Sequence, residues 1–209
     1  MITHFMFDLE TLGNDTREHM WLSMGAVAFT LDESIPLPTE TEYLHTSQTV
    51  SRNFYTVLDL DTQQRHGLTI DTNTLYWWID ERRRDVFNHM MNGHIIDIED
   101  ALRLFAMWVH THEPDKNNRR LWSHGVTYDC MHLKEKWDRI MHGSGDFDDM
   151  NMVCPFRQMR DTRTLFDVYE TKYNRSPYPL MEVTMKHHAL FDAYVQACAV
   201  QTALRELYV

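Results

Sequence analysis

Cysteine is scarce in this chain: Cys130, Cys154 and Cys198 are its three thiols, odd in number, far apart and never in a C-x-x-C. That pattern excludes a disulfide framework and a Cys-rich zinc site, and it predicts a reducing, cytoplasmic setting. Long apolar runs are also missing. No stretch approaches the roughly 18 to 20 apolar residues of a membrane span, and the opening MITHFMFDLE meets acidic residues too soon for a secretory signal. The expectation is a soluble intracellular protein with no membrane partner. Positive charge is in deficit, with 20 Lys+Arg against 31 Asp+Glu and a formal net charge of -11. A protein gripping long duplex DNA by phosphate neutralisation would lean the other way. The surplus acid has a second reading, in which carboxylates gather where divalent cations cancel them and make a pocket attractive to phosphate. Finally, no H-E-x-x-H occurs, which argues against a His-rich zinc hydrolase.

What is present fits an ordinary folded protein: 209 residues, 43% hydrophobic, without repeats, low-complexity tracts or linkers. Residues 1–209 therefore parse as a single domain. Residues 2–7 read as a short buried strand, 23–31 as a second, and Phe54 to Leu58 as a third after a loop marked by Pro36 and Pro38. From Asp71, a plausible cap, the period becomes helical through Leu75, Trp78, Ile79, Val86 and Met90. A further helix follows Asp97, and a brief strand holds Leu121 and Trp122. Gly125 turns into a helix over Tyr128 to Met141, and a Gly/Asp loop runs from Ser144 to Asn151. A last strand is expected near Val153 to Phe156, then a helix after Asp161, a Pro177/Pro179 loop and a long helix from about His188 to Leu207. An antiparallel N-terminal meander followed by parallel strands alternating with helices gives α/β with a mixed central sheet flanked by α-helices.

Asp8 and Glu10 form a D-x-E on the first strand, where a period of two puts both carboxylates on one face. Two hard oxygen ligands side by side suit magnesium or manganese. The second D-x-E, Asp97 and Glu99, starts a helix and reads as a first-turn device. His187 and Asp192 form an H-x-x-x-x-D, a spacing also met at His66/Asp71, His110/Asp115 and His124/Asp129. Only His187 precedes a long helix lined with small residues. Five residues of helix turn about 500 degrees and leave roughly 140 degrees between two side chains, so His187 must lie in the loop before the helix if both groups are to reach one centre.

FDLETLG at 7–13, HGVTYD at 124–129 and HHALFDA at 187–193 stand in the order and contexts of three exonuclease motifs. In these segments the chain resembles the DEDD exonuclease superfamily, in its histidine-containing, RNase-T-like branch (DEDDh). TLYWW at 74–78 and RDTRT at 160–164 are similar to segments of the phage exonuclease A type. The resemblance implies an RNase-H-like fold and two-metal phosphodiester hydrolysis from a 3′ end, releasing 5′-mononucleotides with two Mg2+ or Mn2+ ions. It implies that Asp8, Glu10, Asp129 and Asp192 hold the metals and that His187 is the general base, with His188 beside it as the competing imidazole. It also suggests substrate contacts at Leu12, Gly13, Trp78, His124 and Arg160. DNA is the favoured nucleic-acid partner on the phage likeness, with RNA close behind, and homodimers have precedent in such enzymes. A phage origin would make the setting a host cytoplasm.

Plainer readings compete with these. Asp129 could simply cap a helix. Adjacent Trp77 and Trp78 point about 100 degrees apart on a helix, so one belongs in the core while the other could stack on a base. The Arg82, Arg83, Arg84 run suits a solvated face, and Arg157, Arg160 and Arg163 are diluted by Asp161 and Asp167. The surplus histidines, His110 and His112 among them, suit the surface better than zinc. A non-catalytic nucleic-acid-binding module is the alternative from another class, and its usual mark, a lost carboxylate or histidine, is absent.

Overall fold

The structure is a computed structural model that describes residues 2–35, 52–142, 149–180 and 185–208. The expected loop at Pro36 and Pro38, and most of the one at Ser144 to Asn151, lie outside those residues. A six-stranded mixed sheet runs in the order β4-β3-β2-β1-β5-β6. Strands β1 (Thr3–Thr11), β2 (Trp21–Phe29) and β3 (Asn53–Leu58) form the antiparallel meander. Strands β4 (Ile95–Ile96), β5 (Arg119–Ser123) and β6 (Met159–Asp161) join in parallel. The helices are α1 (Leu60–Arg65), α2 (Thr72–Ile79), α3 (Arg84–Met91), α4 (Ile98–His112), α5 (Met131–Ile140), α6 (Thr162–Tyr173) and α7 (Ala189–Leu207). Among the described residues, no helix is long and apolar enough to cross a membrane.

Strand alternation sorts β1 between two apolar layers. Phe5, Phe7 and Leu9 pack with Phe54, Phe105 and Trp108 on the α4 side, whereas Met6 packs with Val27, Leu190 and Phe191 on the α7 side. Helix α7 can lie close because its inner row, Ala189, Ala193 and Ala197, carries only methyl groups and is fully buried. Gly25 completes the fit. It pairs with Asp8 across β1 and β2, and a Cβ there would meet the backbone nitrogen of Leu190 at 2.2 Å. The start of α7 therefore rests directly on the sheet beside Asp8.

Several expectations shift. β1 runs on through Thr11, so Asp8 and Glu10 lie within the strand. The last strand is Met159–Asp161 and not Val153 to Phe156. Val153 and Cys154 are buried without joining the sheet, Pro155 has no N–H to give a ladder, and Phe156 begins a short 3-10 turn with its side chain exposed. The helical pattern after Asp71 is two helices, because the Asp80 carboxylate accepts from the Arg82 N–H and turns the chain between them. Asp71 does cap α2, accepting from the Thr74 amide at 2.7 Å, and Asp97 caps α4 through the Glu99 amide.

Candidate active site

Asp8, Glu10, Asp129, His187 and Asp192 line one cavity of about 740 Å3, together with His124, Tyr128, Tyr178, Lys186 and Gln196. Each reaches it from a different local device. Asp8 and Glu10 occupy the α7 face of β1. Asp129 sits in a π-helical turn, Val126–Cys130, that follows Gly125 at φ 127° and leads into α5. Such one-turn irregularities re-aim a side chain that a regular helix would direct elsewhere. Asp192 lies in the first turn of α7, and His187 stands in the loop before it.

The angular mismatch between His187 and Asp192 is resolved in the backbone. His187 takes φ 70°, an uncommon conformation for a residue with a Cβ, and its N–H donates to Asp192 Oδ2 at 2.9 Å. His188 turns the other way. It is fully buried, occupies the N-cap position of α7 without a side-chain capping bond, stacks on Tyr55 with ring centroids 4.5 Å apart, and does not line the cavity.

Burial dominates the electrostatics, with mutual repulsion adding to it at Asp8 and Glu10. Asp8 and Glu10 are held well above the usual carboxylate range, first by burial and then by the neighbouring carboxylates. Gln196, one helical turn after Asp192, donates to Asp8 Oδ1 at 3.3 Å and partly opposes this. Burial lifts Asp129 to about 7 and Asp192 to about 6. His187 is pushed down by burial, by Lys186 and by Arg83, which favours the neutral imidazole.

Four crowded carboxyls that resist ionising would be relieved by a bound cation. Glu10, His187 and Asp192 bring one potential ligand atom each to within 4.8 Å of one another. The residues thus fit a divalent cation with oxygen-rich coordination.

The remaining predicted contacts divide. His124 lines the cavity, its Nδ1 bonded to Thr162 Oγ1 at 2.8 Å. Trp78 is 1% exposed and donates its indole N–H to the Thr11 carbonyl, so it is mainly a core residue; Trp77, 39% exposed, is the tryptophan open to solvent. Both border a second cavity of about 640 Å3 that shares Leu9, Glu10 and Tyr128 with the first. Leu12 is buried in the core and lines neither cavity. Gly13 is required by contact, since a Cβ there would overlap the His19 ring at 2.0 Å. Arg160 lines neither cavity: its guanidinium donates to the carbonyls of Arg157 and Met159 and lies near Arg120 and Tyr208. Arg163 is the arginine of that segment whose charge reaches Asp129 and His124. Two tyrosines outside the expected contacts also reach the site: Tyr128, which bonds Thr11 Oγ1 at 2.8 Å between the two cavities, and Tyr178, whose ring is braced by Phe166. Gln196 was legible as the i+4 neighbour of Asp192.

Comparison with known proteins bears on this geometry. The family described as the 3'-5' exoribonuclease Rv2179c-like domain matches residues 3–204. No curated protein matches the chain. Among solved structures, the zinc-bound E. coli ExoI–ssDNA complex is similar at TM-score 0.54 and 15% identity, over 100% of this chain and 42% of that one. Cell-death related nuclease 4 (CRN-4) is similar at TM-score 0.54 and 12% identity, over 98% of this chain and 64% of its own. The chain thus spans less than two thirds of either protein. These likenesses carry the fold, which is RNase-H-like, with a mixed sheet flanked by helices.

Proposed function

Because the chain belongs to the family of 3'-5' exoribonuclease Rv2179c-like domains, we propose that it is a DEDDh-type 3′-to-5′ exonuclease that removes 5′-mononucleotides from the 3′ end of a nucleic acid. The observation that carries this is the convergence of Asp8, Glu10, Asp129, Asp192 and His187 on one cavity. Asp8, Glu10, Asp129 and Asp192 would hold two divalent cations, Mg2+ or Mn2+, whose chemistry is to neutralise the carboxylates and stabilise charge on the phosphate oxygens.

His187 takes the proton from the attacking water on an imidazole nitrogen, a role that its lowered pKa supports by keeping the ring neutral near pH 7. Water oxygen bonds to phosphorus, the bond to the 3′ oxygen of the preceding nucleotide breaks, and that oxygen leaves with a proton as a new 3′ hydroxyl. Asp192 anchors the His187 backbone, and Gln196 orients Asp8. RNA is the first substrate proposed, on the family's description; single-stranded DNA is the second. The polar wall of the second cavity, Asn14, Asn73 and Thr74, offers partners for a ribose 2′ hydroxyl.

The test is incubation of end-labelled RNA and DNA, single- and double-stranded, with Mg2+ or Mn2+. Stepwise shortening from the 3′ end with release of 5′-mononucleotides is expected, and failure of every substrate to shorten would overturn the assignment. A second reading follows from the nearness of the His187 ring to Glu10 and Asp192, in which the imidazole ligates a cation. Cation affinity of His187→Ala separates the two, since loss of a base leaves it unchanged and loss of a ligand weakens it.

A further inference from the structure

We propose that Trp77 is a positioning residue that holds the His187 imidazole in its working orientation; the inference rests on the reading of His187 as general base. The His187 backbone is fixed by Asp192, but its side chain still has rotatable bonds, and a base must be aimed as well as placed. Trp77 supplies a wall for the ring. The two centroids are 4.9 Å apart with planes at 80°, a favourable edge-to-face geometry.

Trp77 is itself braced. Trp78 stands against it at 5.0 Å and 86°, and Trp78 is locked into the core through the Thr11 carbonyl, next to Glu10. Arg83 lies over the indole with Cζ 3.9 Å from the ring centroid and bonds the Trp77 carbonyl. Asp80 holds Arg83 at 3.7 Å. A chain of contacts thus runs from the α2–α3 turn through Arg83 and Trp77 to His187. The arrangement disfavours the competing role of a base-stacking platform, because Arg83 already covers one face of the indole and two further rings abut it.

The test is a double-mutant cycle read as kcat and KM on a 3′-labelled oligonucleotide. Trp77→Ala is expected to lower kcat by about tenfold to a hundredfold with KM within about twofold, and Trp77→Phe to restore most of it. In a His187→Ala background, Trp77→Ala should change the residual kcat by less than about twofold, since there is no imidazole left to aim. With chelator present, the His187 ring-proton resonances should shift in Trp77→Ala and shift less in Trp77→Phe, a readout independent of turnover. A raised KM at unchanged kcat, a loss fully additive with His187→Ala, or unmoved ring protons would overturn the proposal. If Trp77→Ala does not fold, Trp77→Leu and Arg83→Gln carry the same cycle. Full activity in His187→Ala alone would instead sink the general-base reading and this inference with it, whereas an additive loss sinks only this one.

Discussion

In its C-terminal half, β1 presents chemically opposite side chains to its two sides. Phe5, Phe7 and Leu9 meet aromatic rings, including Trp108 at 5.5 Å from Phe5 and Phe105 at 6.3 Å from Phe7. Asp8 and Glu10, one residue along in each case, meet other carboxylates. Burial on the first face stabilises the fold, by about 1.5–3 kcal/mol for a large apolar side chain. On the second it costs stability, because carboxyls removed from water resist ionising. A strand that tolerates such a cost needs compensation, and the cation binding proposed for the cavity beside Asp8 and Glu10 would supply it.

Substitutions on the two faces should have opposite consequences. The largest effect is expected from Asp8→Ala or Glu10→Ala, which should take nucleotide release to the assay background with the circular dichroism spectrum unchanged; retained turnover would refute metal binding at this face. His187→Ala should lower kcat by roughly 10² to 10⁴. Phe7→Ala, on the opposite face, should instead cost about 3–5 kcal/mol of stability, seen as a lower denaturation midpoint, with little loss of specific activity in the folded fraction.

Smaller and opposite in sign is Asp129→Asn. With its pKa raised to about 7, folded Asp129 binds more protons than the unfolded chain between about pH 4 and 7, so the chelated protein loses stability as pH rises through that window. The amide removes the titration. In chelator at pH 8 the variant should melt above the wild type, by about 2–4 °C for each kcal/mol relieved, and the difference should vanish near pH 4. The smallest effect belongs to Arg160→Ala, for which kcat/KM is expected within about twofold of wild type, while Arg163→Ala should lower it more.

Legibility in the sequence followed the range of the forces. The pairing of Asp8 with Glu10 was readable because a strand's period of two is local. The loop position of His187 was readable because 100 degrees per residue forbids the alternative. Which tryptophan faces inward was not, since Trp78 is selected by a carbonyl 67 residues away, that of Thr11. Nor was β6, because the buried, apolar Val153 and Cys154 look like a strand while the residues that pair with β5 are Met159, Arg160 and Asp161. Tyr178 reaches the cavity from an irregular segment with no periodicity to read. Helix α1 was missed for a different reason: its inward residues are polar, and Gln63 earns its place by bonding both the N–H and the carbonyl of Trp21.

Gly25 has no side chain to contribute to the proposed chemistry, yet it acts as the gauge of the candidate site. The separation between Asp8 on the sheet and Asp192 on the helix is set by how near two backbones can come, and at Leu190 they come within the space of one methyl group. Any other residue at 25 would act as a shim. It would widen the distance between two unchanged carboxylates and leave a cation too far from one of them, so that a complete set of site residues would no longer make a site.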